Sequence, residues 1–288
     1  MSLPLSGKVA VVTGASRGVG KGIALELGAA GATVYLTGRT VTAGPLPGTI
    51  TETAAQLTAL GGTGIAVACD HHDDEQVAAL FTRIDADHGS LDILVNNVFS
   101  APDLAQWLHK PFWELPIHVF DEVLAIGLRS HYVAGLYAAP LLFKTDRPGP
   151  VIVNISSSGA QSYGHNVMYG VGKAALDKMT ADMAVELRPH GIAVVSIWPG
   201  LVHTELLATA ARATADGRTV VDIPGEGTFD ITHAESPRFV GRAVTALASD
   251  PDLLQRSGGK HTTAELATRY GFTDIDGTGP GARLRTGA

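Results

Sequence analysis

Residues Val9-Ala10-Val11-Val12 form an apolar run with no polar face, the pattern of a parallel strand covered on both sides. A glycine-rich segment, 13–20, follows. Ile23, Leu25, Leu27 and Ala30 then recur at helical spacing up to Gly31, and 33–36 is again β-branched and apolar. The alternation continues. Ala54, Ala55, Leu57 and Leu60 predict a helix that Gly61-Gly62 ends, before a strand at 65–68; Val77, Leu80 and Ile84 predict a helix before a strand at 93–95. A helix over 119–142, a strand at 151–155, a helix over 167–187 and a strand at 193–197 complete the series. Strands alternating with helices predict an α/β fold with a doubly wound parallel sheet.

No repeat or linker divides the chain, so a single domain is expected. Two stretches interrupt the alternation. One is the proline and glycine loop 43–48, and the other is the small, polar, glycine-dotted segment 209–237. Segments of that length are commonly lids or disordered. The predicted organisation is a domain over 1–259, with a lid loop at 205–236, followed by an extension over 260–288 that packs on it or trails from it.

Composition narrows the class. Hydrophobic residues are 45% and charged residues 17% of the 288 residues, as in a globular chain. The balance of 21 basic and 28 acidic residues, a net charge of −7, argues against a nucleic-acid partner. A single cysteine, Cys69, excludes an internal disulfide framework and fits a reducing compartment. The start of the chain lacks a signal-peptide pattern and no run of about 18 apolar residues occurs, so a cytoplasmic protein without membrane contact is expected. No metal is expected either: His71-His72-Asp73-Asp74 are adjacent and cannot easily close a coordination shell. The 34 glycines exceed the usual ~7% and call for tight turns or close backbone approaches.

Gly14, Gly18 and Gly20 lie between a predicted strand and a predicted helix. There, backbone N–H groups and a helix N-terminus can approach a diphosphate. The sequence Thr13-Gly14-Ala15-Ser16-Arg17-Gly18-Val19-Gly20 resembles the phosphate loop of the short-chain dehydrogenase/reductase family, whose fold is a Rossmann domain. The resemblance implies a nicotinamide dinucleotide cofactor. An acidic residue near Gly38 would accept from an NAD ribose; the chain has Arg39 there and Arg17 in the loop. Two guanidinium groups can pair with a 2′-phosphate, so NADP(H) is expected over NAD(H). By the same resemblance, Ser16, Val19, Asp70 and Asn96 are cofactor-contacting positions, as are Pro199, Gly200, Val202 and Thr204 of Trp198-Pro199-Gly200-Leu201-Val202-His203-Thr204. Asn96-Asn97-Val98-Phe99 is bulkier than the family's Asn-Asn-Ala-Gly.

Tyr169 and Lys173 are four apart at the start of a predicted helix, hence on one face. A tyrosine with an ordinary pKa near 10 becomes a usable acid or base beside an ammonium. Resemblance assigns Tyr169 as the acid/base residue and Lys173 as the group that binds the nicotinamide ribose and tunes it. A serine should orient the substrate oxygen. Strand register selects Ser157, whereas counting back the family's usual spacing from the tyrosine selects Ser156; register is the firmer guide. The family's helix asparagine is missing, since its position reads Ile126-Gly127-Leu128. A bulged helix there could still offer a backbone group, and His131, one turn on, could substitute.

Together these imply an NADP(H)-dependent oxidoreductase that interconverts a carbonyl and an alcohol on an apolar substrate. Phe99, Trp107, Trp113 and the 205–236 segment are candidates to enclose that substrate. The alternative is an NADP(H)-binding sensor or scaffold on the same fold with little turnover, suggested by Gly127 and the altered Asn-Asn motif. Family members assemble through the helices equivalent to 119–142 and 167–187, so a homodimer or homotetramer is expected by resemblance.

Overall fold

The computed structural model describes residues 2–100, 107, 110–223 and 227–279. Its center is a seven-stranded sheet formed by β1 (Val9–Val12), β2 (Thr33–Gly38), β3 (Thr63–Ala68), β4 (Ile93–Asn96), β5 (Val151–Ile155), β6 (Ala193–Trp198) and β10 (Lys260–Thr262). The strand order is β3-β2-β1-β4-β5-β6-β10, and every pairing is parallel. The order reverses between β1 and β4, so their carboxyl ends open the crevice in which such sheets hold ligands.

Side chains alternate across the strands. Ala10 and Val12 join a core beneath helices α1 (Gly18–Ala29) and α2 (Ile50–Ala59), whereas Val9 and Val11 join the opposite core beneath α3 (Asp74–His88). Burial on both faces explains why the strands carry no polar side. The predicted helix over 119–142 is instead three pieces: α4 (Ile117–Leu124), one π turn (Ala125–Arg129) and α5 (Ser130–Leu142). Ser130 Oγ donates back to the Ile126 carbonyl at 2.7 Å, an i−4 bond that bends helices. A long helix, α6 (Val167–Leu187), packs beside the π turn.

Two predicted boundaries need correction. The 205–236 segment is not a loop. It holds a short helix, α7 (Glu205–Ala210), and an antiparallel sheet of β7 (Ala211–Ala213), β8 (Thr219–Ile223) and β9 (Gly227–Asp230). Asp216-Gly217 turns the first hairpin with Gly217 at φ +83°, a signal of the kind that marks hairpins. Nor does 260 begin an appendage. β10 is the edge strand of the main sheet, and α9 (Thr263–Tyr270) follows it with a capping box between Thr262 and Glu265. Asp274 further on accepts from the Ser236 N–H at 2.8 Å and from its hydroxyl. The remainder of that predicted extension, 280–288, lies outside the described residues. Among the described residues no helix is long and apolar enough to cross a membrane.

Many glycines serve contact between elements. A Cβ on Gly22 of α1 would stand 2.1 Å from the Pro237 carbonyl carbon of α8 (Pro237–Ala248). Buried histidines fill the other core's upper edge. His71 Nε2 lies 2.7 Å from Thr37 Oγ1, and His131 Nε2 lies 2.9 Å from the Val98 carbonyl. His72 meets Glu122 at 2.8 Å, Asp73 caps α3 and Asp74 pairs with Arg129 at 2.6 Å, so every residue of the 71–74 run has a protein partner.

Gly22→Ala should force α1 and α8 apart and destabilize the fold by about 1–3 kcal/mol, outweighing the helix-propensity gain of up to ~1 kcal/mol; urea titration checks this. A second expectation concerns acid. Burial lowers His131 from 6.5 to about 3 and His71 from 6.5 to about 4. The unfolded chain therefore binds protons that the folded chain refuses. Stability should be fully present above pH 6.5 and fall as pH drops toward 4, by at most ~1.4 kcal/mol per pH unit per histidine. Thermal melts of the wild type and His131→Gln across this range should show a shallower loss in the variant.

Candidate active site

Thr13 organizes the crevice. Its Oγ1 accepts the N–H groups of Asn97 and Val98 at 2.9 and 3.0 Å, while Asn97 Nδ2 donates to the carbonyls of Thr13 and Gly14 at 2.9 and 3.1 Å. These bonds fasten the turn after β1 to the turn after β4. A Cβ on Gly20 would stand 2.3 Å from the Gly14 carbonyl oxygen and 2.4 Å from Asn97 Nδ2, so only glycine lets α1 start this close. Gly14 and Gly18 are left-handed, at φ +69° and +57°, a conformation glycine adopts without penalty.

The resulting cleft measures about 580 Å³, within the usual range for cofactor sites. Gly14, Ser16, Arg17, Gly18, Val19, Gly20, Arg39, Asp70 and Thr204, all positions that the resemblance assigns to cofactor contact, line it. The N–H of Gly18, in the first turn of α1, donates to Glu205 Oε2 at 2.6 Å. That carboxylate stands where a helix N-terminus favors negative charge, and a dinucleotide's diphosphate has the charge for the same place. The residues present thus fit the dinucleotide that the phosphate-loop pattern implies.

The predicted contacts differ in where their side chains point. Asn96 is fully buried, and its Nδ2 donates to Asn154 Oδ1 at 3.0 Å and to the His131 carbonyl at 3.3 Å. The cleft wall is Asn97 instead, because successive side chains point to opposite faces. Arg17 turns its guanidinium toward the loop predicted at 43–48, donating to the carbonyls of Pro47 at 3.1 Å and Gly48 at 3.0 Å. Arg39 stays exposed, with Asp70 3.8 Å away. Pro199, Gly200 and Val202 are not in the cleft wall; Val202 bridges Glu235, and a Cβ on Gly200 would meet Glu235 Oε1 at 2.7 Å. A side chain at 200 would therefore ask the Glu235 carboxylate to move. Glu205 and Leu206 line the cleft without having been predicted as contacts.

Beyond the cleft, Asn166 caps α6 by accepting the Tyr169 N–H at 3.0 Å, which fixes where the helix, and so Tyr169 and Lys173, begin. Ser157 follows β5; its Oγ accepts the Gly159 N–H at 3.2 Å, and its side chain lies on the Tyr169 side, where it acts on the phenol. Ser156 points the other way: it is buried and donates to the Lys173 carbonyl at 3.3 Å. Register therefore brings Ser157, not Ser156, to the tyrosine. Burial raises the Tyr169 phenol above its ordinary range, partly offset by the Ser157 bond. Lys173 Nζ donates to the Ile155 carbonyl at 3.0 Å, and burial lowers its pKa to about 8 against the opposing charge of Asp177. Lys173 Nζ lies 5.8 Å from the Tyr169 ring centroid and 5.2 Å from that of Phe99.

Of the other aromatics, Trp113 is 73% exposed and meets Phe112 edge-on, its one ring contact among the described residues. Trp107 packs on His118 and Lys110. Phe99 does reach the center, edge-on to Tyr169 with centroids 6.0 Å apart. The arrangement can hold an oxygen between a hydroxyl and a phenol and deliver or take a proton there.

Comparison with known proteins agrees with this geometry. The family described as short chain dehydrogenase matches residues 8–215. The chain is 42% identical over 284 residues to Dehydrogenase/reductase SDR family member 1 of Mus musculus, covering 96% of this chain and 86% of that one. Among solved structures, a short chain dehydrogenase of Mycobacterium thermoresistibile superposes with a TM-score of 0.78 at 26% identity, covering 98% and 95% of the two chains. A metagenomic short-chain oxidoreductase in complex with NADP gives 0.68 at 29% identity, covering 89% and 96%. The chain belongs to the short-chain dehydrogenase/reductase family of NAD(P)-dependent oxidoreductases acting on CH–OH and C=O groups.

Proposed function

We propose that the protein interconverts a ketone or aldehyde and the matching alcohol on an apolar substrate, with NADP(H) as the preferred cofactor. The meeting of Ser157, Tyr169 and Lys173 at the carboxyl end of β5 carries this reading. The nicotinamide supplies or accepts hydride when bound. Ser157 orients the substrate oxygen, and the neutral Tyr169 phenol, raised by burial, donates the proton in the reductive direction. Lys173, charged below about pH 8, stabilizes the phenolate left behind and has N–H groups to offer the ribose hydroxyls.

NADP(H) preference rests on Arg39. It is exposed at the cleft wall and no carboxylate occupies the end of β2, whereas Arg17 is engaged by the 46–48 carbonyls. An NADP complex of a structural relative is consistent with this. Self-association is supported by the exposed apolar side chains of Tyr132 and Leu136 on α5 and Val171 and Val185 on α6, and we infer a homodimer or homotetramer built on those helices, located in the cytoplasm.

Tyr169→Phe should lower NADPH-dependent carbonyl reduction by about 10²–10⁴-fold while leaving NADPH affinity near wild type; a stopped-flow assay with fluorescence titration separates the two. Tight NADPH binding without turnover on a broad carbonyl panel would instead favor a sensor. For the cofactor, wild type should bind NADPH about 10-fold or more tightly than NADH, the value of a charge-assisted bond. Arg39→Ala should bring the two dissociation constants together.

A further inference from the structure

The family's helix asparagine is absent at Gly127, and the structure shows what stands in front of that glycine. A Cβ on Gly127 would lie 3.3 Å from Phe99 Cδ2 and 3.4 Å from Cε2. The same ring meets Tyr169 edge-on at 86° and has Lys173 Nζ 5.2 Å from its centroid. The backbone around Phe99 is held from three elements. The Val98 N–H donates to Thr13 Oγ1 at 3.0 Å, the Val98 carbonyl faces His131 Nε2 at 2.9 Å, and Ser100 Oγ donates to Glu122 Oε1 at 2.9 Å.

We propose that Phe99 is a positioning residue for Tyr169 and Lys173, its ring seated on Gly127 and walling the pair into its working geometry. This deepens the Tyr169/Lys173 reading above and rests on it. An ammonium on a four-carbon stem has several rotamers; the Ile155 carbonyl takes one of its N–H groups and the faces of two rings confine the rest. The edge-to-face contact orients Tyr169. A Cβ at 127 would ask the ring to give way by a few tenths of an ångström, so the glycine lets the ring sit close without displacement.

The charged and titratable groups around the ammonium are Tyr169 and Asp177, one turn to either side on α6, and His131 on α5. Removing the ring admits water to an ammonium that burial holds low. It also removes a cation–ring attraction, but burial is the larger effect, so the Lys173 pKa should rise.

The test compares Phe99→Ala, Phe99→Tyr and wild type in NADPH-dependent reduction between pH 6 and 10, together with thermal melts. In Phe99→Ala, kcat should fall about 10-fold or more, with the alkaline limb of its pH profile moved upward by about one pH unit; Phe99→Tyr should restore both. Gly127→Asn should depress kcat more in wild type than in Phe99→Ala. A readout free of turnover is the titration of ¹³C-labelled lysine, with the Lys173 signal identified by its loss in Lys173→Met. An upward move of that titration in Phe99→Ala supports the proposal even if no carbonyl is reduced, an outcome that would sink the reaction assignment alone. An unchanged Lys173 titration, or a lower melting temperature with the alkaline limb in place, overturns it.

Discussion

The site depends on the clasp between Thr13 and Asn97. One threonine hydroxyl accepts two backbone N–H groups and one asparagine amide returns two bonds, so the turns after β1 and β4 become one rigid unit. Both sides of the crevice hang from it. The glycine turn takes its approach angle to α1 from Gly14 and Gly20, while Phe99, two residues beyond Asn97, takes its place over Gly127. Bonds of this kind in a buried setting are costly to leave unmade, which gives the sheet's switch point a fixed width.

Much of this was legible in the sequence, for identifiable reasons. Strands covered on both faces announce themselves as apolar runs, and six of the seven strands were legible in that way. The glycine turn and the Tyr169/Lys173 spacing were legible because backbone approach and helical geometry leave local signatures. The seventh strand was not. Lys260-His261-Thr262 has no apolar pattern, since an edge strand of three residues with half-exposed side chains is defined by its partner β6. The 205–236 sheet was hidden for a similar reason, although its Asp216-Gly217 turn carried a hairpin signal.

Within the site, single-residue facing was the harder matter. Asn96 and Asn97 differ only in which side of β4 they leave, and the buried chain from Asn96 through Asn154 to Thr180 claims the first. Ser156 and Ser157 part in the same way, and there strand register gave the side that the structure shows. The break of the long helix into a π turn coincides with Gly127 and with the bond from Ser130 Oγ back to the Ile126 carbonyl, while which ring faces that glycine is a tertiary matter that no window of local sequence contains.

The bond from Gly18 to Glu205 joins the phosphate turn to α7. An anion that takes the Gly18 N–H must displace a carboxylate carried by that short helix, and so releases one tie between the helix and the rest of the fold. Thermodynamic reciprocity then requires the converse: whatever draws α7 away from the turn strengthens anion binding by the same factor. Occupancy of the cleft and the position of the segment over it are in this way two readings of one equilibrium.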